Sequence, residues 1–368
     1  MVFQHFSVIG SRASRRHALR QRGRYPRVPT QKLNVDAPLG TRTFFRVCLA
    51  ILFCTHASIA VACNVPVFRY ALERWRPDVC EVVVFHDGKF SVEQEQQLRE
   101  IEKETTKNAG TINAEVVRFN INVDFDKKQK ELWALFRDKP KVTLPYVVIR
   151  TSMGSGELVN HWHGPLEETT KAKLFQSPIR RELSRRLLSG DSVVWLVLKS
   201  NDQAKNKSVL DLLSKEFERL SEKLEIPDGI GLPGSELYAE VPLFLKFTIL
   251  EIEPTDPQEQ MLIKLMTGFE PDAVNEPLLS PVFGRGRALE VIPAKQLDSG
   301  LIEDLTMFLC GACSCQVKER NPGFDLLLST NWNQELYGPE GETPPPVTTL
   351  ERSPNTQSLR TIPPGRKK

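Results

Sequence analysis

Three cysteines fall within six residues at Cys310-Gly311-Ala312-Cys313-Ser314-Cys315, a stretch with both C-x-x-C and C-x-C spacings. Sulfurs this close could bridge, exchange disulfides with a substrate, or present thiolates to Zn or Cu with one further ligand from elsewhere, since structural zinc takes four. A helix end followed by Gly311 lets the Cα atoms of Cys310 and Cys313 approach to about 5–6 Å, inside the range for a bridge. A Cys310–Cys313 disulfide is therefore expected, with Cys315 a thiol or paired with a distant partner. Position argues against exchange, because the cluster follows the C-terminal end of an expected helix, whose dipole disfavours a thiolate. Only Lys318 and Arg320 act the other way.

A second set is His161-Trp162-His163, whose imidazoles share one face of a strand by its two-residue period. The alternative is a histidine pair solvated at the strand rim. Candidate metal ligands are thus Cys310, Cys313, Cys315, His161 and His163, and no cofactor other than Zn or Cu is suggested. Gly284-Arg285-Gly286-Arg287 lacks the Rossmann spacing and the Walker lysine, so it reads as a tight turn between antiparallel strands. The sequence holds no nucleophile elbow, zincin motif or kinase set, and whether the chain is an enzyme stays open.

The elements that must position these residues alternate between helix and strand. Val67 to Trp75 has helical spacing and stops at Pro77. Glu81 to His86 is an apolar run suited to a buried strand. Ser91 and Gln94 form a capping box for a helix to about Lys107. Ala114 to Val123 is a strand, Lys127 to Arg137 a helix, Leu144 to Ile149 and Glu157 to His163 strands, and Ser177 to Leu188 a helix ending at Gly190. A looser repeat follows, with strands at Val193 to Lys199, Val241 to Ile252, Ser280 to Phe283 and Arg287 to Ile292. Its helices are Ser208 to Leu224, Gln258 to Met266 and Leu297 to Leu309.

Each half resembles the thioredoxin fold, in which a strand opening with a cis proline follows the second αβ crossover. The resemblance implies an α/β protein of two tandem degenerate thioredoxin-like domains, with mixed sheets, flanking helices, and cis peptides at Pro145 and Pro281. It also implies where a dithiol would sit, between the first strand and the next helix. Those positions read His86 to Ser91 and Ser200 to Ala204, without cysteine. Ordinary thioredoxin catalysis at the usual site is thereby excluded.

With 40% hydrophobic residues, the 368-residue chain can fill ordinary cores. Residues 1–62 carry ten Lys/Arg against Asp36; removing that +9 from the overall +3 leaves −6. A mildly acidic remainder without a basic stripe disfavours nucleic acid as a partner. Val47 to Ala62 is a short apolar run behind Arg42 and Arg46, ending Ala60-Val61-Ala62, and reads as a signal peptide. Export to the periplasm or cell envelope is expected, by cleavage before Cys63 or by lipidation of Cys63, which would tether the chain to a membrane. The expected division is a basic leader at 1–43, signal peptide at 44–62, domains at 63–190 and 191–337, and a Pro-rich disordered tail at 338–368.

CNVPVFRYALERW at Cys63 to Trp75 and CSCQVKERNPG at Cys313 to Gly323 resemble the end motifs of a family of uncharacterised bacterial exported proteins. That resemblance implies location and fold and names no ligand. The expectation is a non-catalytic binding or scaffold module, compatible with a protein partner. The alternative is a thiol-disulfide or metal-handling protein using Cys310, Cys313 and Cys315.

Overall fold

The structure, a computed structural model, describes residues 64–105, 111–123, 126–140, 142–152, 158–269 and 275–339. The expected leader and signal segment, Cys63 and the expected tail beyond residue 339 lie outside the described residues. None of the described helices is long and apolar enough to cross a membrane.

The described residues form a mixed α/β fold with two sheets. The first has strands β1 (Cys80–His86), β2 (Ala114–Asn120), β3 (Tyr146–Ser152) and β4 (Leu158–Pro165) in the order β2-β1-β3-β4. β1 is parallel to β2 and antiparallel to β3, and β3 is antiparallel to β4. β1 reads CEVVVFH because it is central and covered on both faces. On one face Val83, Phe85, Tyr146 and Val148 pack with Leu132 and Phe136. On the other, Val82, Val84, Val147 and Ile149 pack with Leu98 and Ile101.

The helices accompanying this sheet are α2 (Val92–Glu104), α3 (Lys127–Ala134), α4 (Leu166–Lys171) and α5 (Pro178–Leu188), after α1 (Val67–Arg74) at the start. The Ser91–Gln94 capping box forms, and an equivalent one, Asp126–Gln129, opens α3.

The second sheet contains β5 (Val193–Leu198), β6 (Phe247–Ile252), β7 (Leu278–Phe283), β8 (Arg287–Ala288), β9 (Ile292–Pro293) and β10 (Phe324–Asp325). Its order is β10-β8-β7-β5-β6, with β9 on β7. The run β6-β5-β7-β8 repeats the order and strand senses of the first sheet. Its helices are α6 (Gln203–Lys223), α7 (Gln260–Phe269), α8 (Ser299–Cys310), α9 (Cys315–Arg320) and α10 (Trp332–Tyr337).

The packing crosses the expected boundary near Gly190. One apolar cluster takes Val82 and Val147 from the first sheet together with Val194, Leu196, Leu262 and Leu265 from the second half. α7 packs on β4, α5 on β5 and β6, and α1 on α8 and β7. Helix α1, early in the chain, is thus part of the second sheet's surroundings, because its apolar positions Phe68, Tyr70 and Ala71 join Trp195 and Phe283.

The Leu144–Pro145 peptide before β3 is cis. The expectation for Pro281 is corrected: Ser280–Pro281 is not cis. Pro281 lies inside β7, paired with Trp195 on β5 and accepting the Leu289 N–H at 3.0 Å, so flanking pairings hold it extended.

Candidate functional site

The cysteine cluster lies where the two end motifs meet. Pro66 forms an antiparallel bridge with Ala312, Val67 donates its N–H to Gly311 O at 3.0 Å, and Cys313 donates its N–H to Val65 O at 2.9 Å. Cys310 belongs to the buried stripe Ile302, Thr306, Leu309, Cys310 of α8, a helical spacing that turns its sulfur into the core. Its thiol is free and buried, and burial pushes it up to about 12. The expected Cys310–Cys313 bridge is not formed here. The physical reason is that the α8 stripe fixes Cys310, whereas Cys313 is 1% exposed and follows the strand-like contact with Val65.

Cys315 opens α9. Lys318, expected to favour a thiolate, instead lies over the Tyr70 ring at 4.7 Å. A thiol near 12 is protonated at neutral pH, and the thiolate is the form that attacks disulfides and binds metals. Cys80 is similar, its thiol raised to about 12 by burial and by Asp325 against the opposing pull of Arg180.

The histidines do not share a face. Between the pairs Ile149–Trp162 and Arg150–Asn160, β4 advances two residues while β3 advances one, so His161 is the extra residue of a β-bulge. Phase changes there. His161 bonds Thr151 Oγ1 at 2.7 Å and approaches Lys264 O of α7 at 3.3 Å. His163 meets the Tyr146 hydroxyl at 2.7 Å and stacks beside Phe136 on the opposite side of the sheet. Burial lowers His161 to about 4 and also lowers His163. Among the described residues, no group of three His, Cys, Asp or Glu could hold a metal. The histidines belong to the first sheet and the cysteines to the surroundings of the second, so the expected ligands do not converge.

The loop between β1 and α2 is closed by its own residues. His86 accepts the Gly88 N–H at 2.9 Å and stacks on Phe90, and Asn122 donates to Asp87 O at 2.9 Å. Burial, then Arg118, lowers the His86 pKa. The corresponding junction of the second sheet is tied by Asn206, which receives the Ser200 N–H and donates back to Ser200 O, both at 2.9 Å.

Arg285 and Arg287 make the β7–β8 turn more than a turn. Arg285, 7% exposed, donates to Leu72 O, Glu73 O and Asn333 Oδ1 at 2.7–2.9 Å. Arg287, 4% exposed, donates to the carbonyls of Asn321, Pro322 and Gly323 and pairs with Asp325. The turn therefore holds the end of α1 with one arginine and the end of the cysteine-bearing segment with the next. Gly286 between them sits at φ +87, and a Cβ there would lie 2.0 Å from Leu328 Cδ1. Burial raises the Asp325 carboxyl to about 6 although Arg287 opposes it.

Sequence reasoning missed the buried arginines at these joints. Arg69 pairs with Glu73 at 2.8 Å and donates to Val241 O at 2.7 Å, while Glu73 accepts the N–H groups of Tyr238 and Ala239. The available signal was a charged pair spaced i, i+4 inside an otherwise apolar helix, at Arg69 and Glu73. A scan against protein-family models gives no match, and no curated protein matches the chain.

Proposed function

We propose that this is an exported, non-catalytic binding or scaffold module built from two thioredoxin-like halves. The observation that carries the reading is a shared strand order, β2-β1-β3-β4 and β6-β5-β7-β8, combined with strand-to-helix junctions that lack cysteine in both halves. The cis Leu144–Pro145 bond precedes β3, where the thioredoxin resemblance expects one. Export rests on the apolar segment before Cys63 and its small residues. Cleavage or lipidation at Cys63 places the working molecule in the periplasm or cell envelope, where the lipid would tether it.

The competing reading makes Cys310, Cys313 and Cys315 a thiol-disulfide or metal centre. The protonated, buried Cys310 thiol disfavours it. Thiol titration and metal analysis of the purified mature protein separate the two. The scaffold reading expects no stoichiometric metal and buried thiols that react only after unfolding; bound Zn or Cu, or a rapidly exchanging pair, would replace it. Intact mass tests export, with a start at Cys63 expected and a start before Val47 overturning that part.

A further inference from the structure

We propose that the loop 226–235, beside the first described residue of the chain, is the surface that rests on the lipid bilayer when the protein is tethered at Cys63. The proposal rests on the tethered form of the export reading and adds to it the face of the fold that meets the membrane. Asn64, the residue after Cys63, donates its N–H to the hydroxyl of the buried Ser235 at 2.9 Å. A Cβ at Gly229 would lie 2.8 Å from Asn64 Nδ2 and 3.5 Å from Leu232 Cδ1, which sets the Leu232 and Asn64 side chains beside one another. A lipid on Cys63 is attached one residue from this contact, and the bilayer that takes it up must lie close to the loop.

The loop is built to hold apolar side chains outward. Ile226, Pro227 and Ile230 are half-buried, Pro233 is exposed and Leu232 is 61% exposed. A single exposed leucine needs no explanation, but this one stands on a backbone fixed for the purpose. Gly229, Gly231 and Gly234 have φ of +83, +86 and +85, which other residues rarely adopt. Gly231 donates its N–H to Ser235 O at 2.9 Å, and Ser235 donates its own to Leu232 O at 2.8 Å. A Cβ at Gly231 would meet nothing within 4 Å, so the tip faces open space. Apolar groups at a membrane surface sink about 5–10 Å into the headgroup boundary, and one lipid chain gives only marginal attachment without a second contact. The charges beside the loop oppose one another: Asp228 and Glu236 flank it, while Arg74 donates to Glu236 O at 3.3 Å and lies over the Tyr238 ring at 4.7 Å. The contact is therefore apolar rather than an attraction to anionic lipid. A second copy of the chain fits the loop less well, because a stable interface takes about 800 Å² per partner, more than a narrow tip presents.

The test is a spin-label depth measurement on the full-length product, matured in a bacterial host and reconstituted into vesicles of phosphatidylethanolamine and phosphatidylglycerol. A nitroxide is attached at Leu232→Cys or, as the control, at Val92→Cys, 76% exposed at the start of α2, with the labelled parent as background. Position 232 is expected to be relaxed by oxygen, which concentrates in lipid, and to lose its collisions with a water-soluble nickel chelate, at low and high salt alike. Position 92 is expected to show the reverse. Intact mass and flotation of the parent report the tether separately. A parent without lipid at Cys63 that does not float overturns the tether and this proposal together. A lipidated parent that floats with position 232 as open to nickel as position 92 overturns the docking face alone. Immersion that disappears at high salt would overturn the apolar contact. Immobilisation of the label at 232 without vesicles, with a doubled molar mass in light scattering, would assign the loop to a second copy and overturn the membrane as its partner.

Discussion

Arg285 donates from Nε to Leu72 O at 2.7 Å and from Nη2 to Glu73 O at 2.8 Å, joining positions 213 and 212 residues apart. The last carbonyls of a helix have no partner inside it, and here a buried guanidinium supplies one. Arg285→Ala would leave Leu72 O without this partner in a buried site, at about 1–3 kcal/mol for an unsatisfied group, while Glu73 O keeps the Tyr337 hydroxyl at 2.6 Å. Urea unfolding should show a loss of about 3 kcal/mol, with Arg285→Lys recovering only part because an ammonium lacks the planar fork. A loss below about 0.5 kcal/mol would mean that the turn does not hold α1.

The Arg69–Glu73 pair makes a related prediction with a sharper contrast. Breaking a buried pair by removing one partner typically costs about 3–5 kcal/mol, whereas replacing both with apolar groups is much milder. Glu73→Leu should therefore destabilise more than the double change Arg69→Met with Glu73→Leu. A double-mutant cycle in denaturant measures this. Additive effects would show that the two side chains act independently.

The pH dependence comes from His161. Its folded-state pKa is lowered from 6.5 to about 4 by burial, so the unfolded chain takes up the proton first as pH falls. Its contribution is present above pH 6.5 and is lost between 6.5 and 4, by about 3 kcal/mol in all. Asp325 runs the opposite way: its carboxyl is raised from 3.8 to about 6, so its contribution is present below pH 3.8 and lost as pH rises through 6. The clean readout is therefore the difference between the parent and His161→Gln, followed from pH 7 to pH 4 by thermal unfolding. The variant should lose less stability across that window. Parallel curves would contradict the buried neutral imidazole.

Much of the α/β order was legible because its signals are local. The Ser91 capping box and the apolar β1 run each leave a mark in adjacent residues, whereas α6, expected from Ser208, begins at Gln203 behind an Asp202 cap. The β-bulge at His161 was not legible, because an extra residue is defined only by the partner strand, and it reversed the expected facing of the histidine pair. Helix α1 was assigned by its place in sequence, but its apolar stripe matches the second sheet, a choice made by long-range packing. The cysteine cluster was found by spacing alone. Spacing cannot say that Cys310 continues the buried stripe Ile302, Thr306, Leu309. Arg285 and Arg287 were legible only as part of a tight turn, because the carbonyls they hold, such as Leu72 O and Asn321 O, lie 213 and 34 residues away.

The most direct test of the central claim is the redox state of the cysteines in the folded protein across glutathione buffers of increasing potential. Alkylation after acid quenching, read by intact and peptide mass, reports each thiol. The redox-silent account predicts that Cys80 and Cys310 stay as thiols and form no mixed disulfide while the protein is folded, because both are buried and protonated near 12. A reversible Cys310–Cys313 disulfide with a midpoint between roughly −270 and −120 mV, the range of working thiol oxidoreductases, would contradict it.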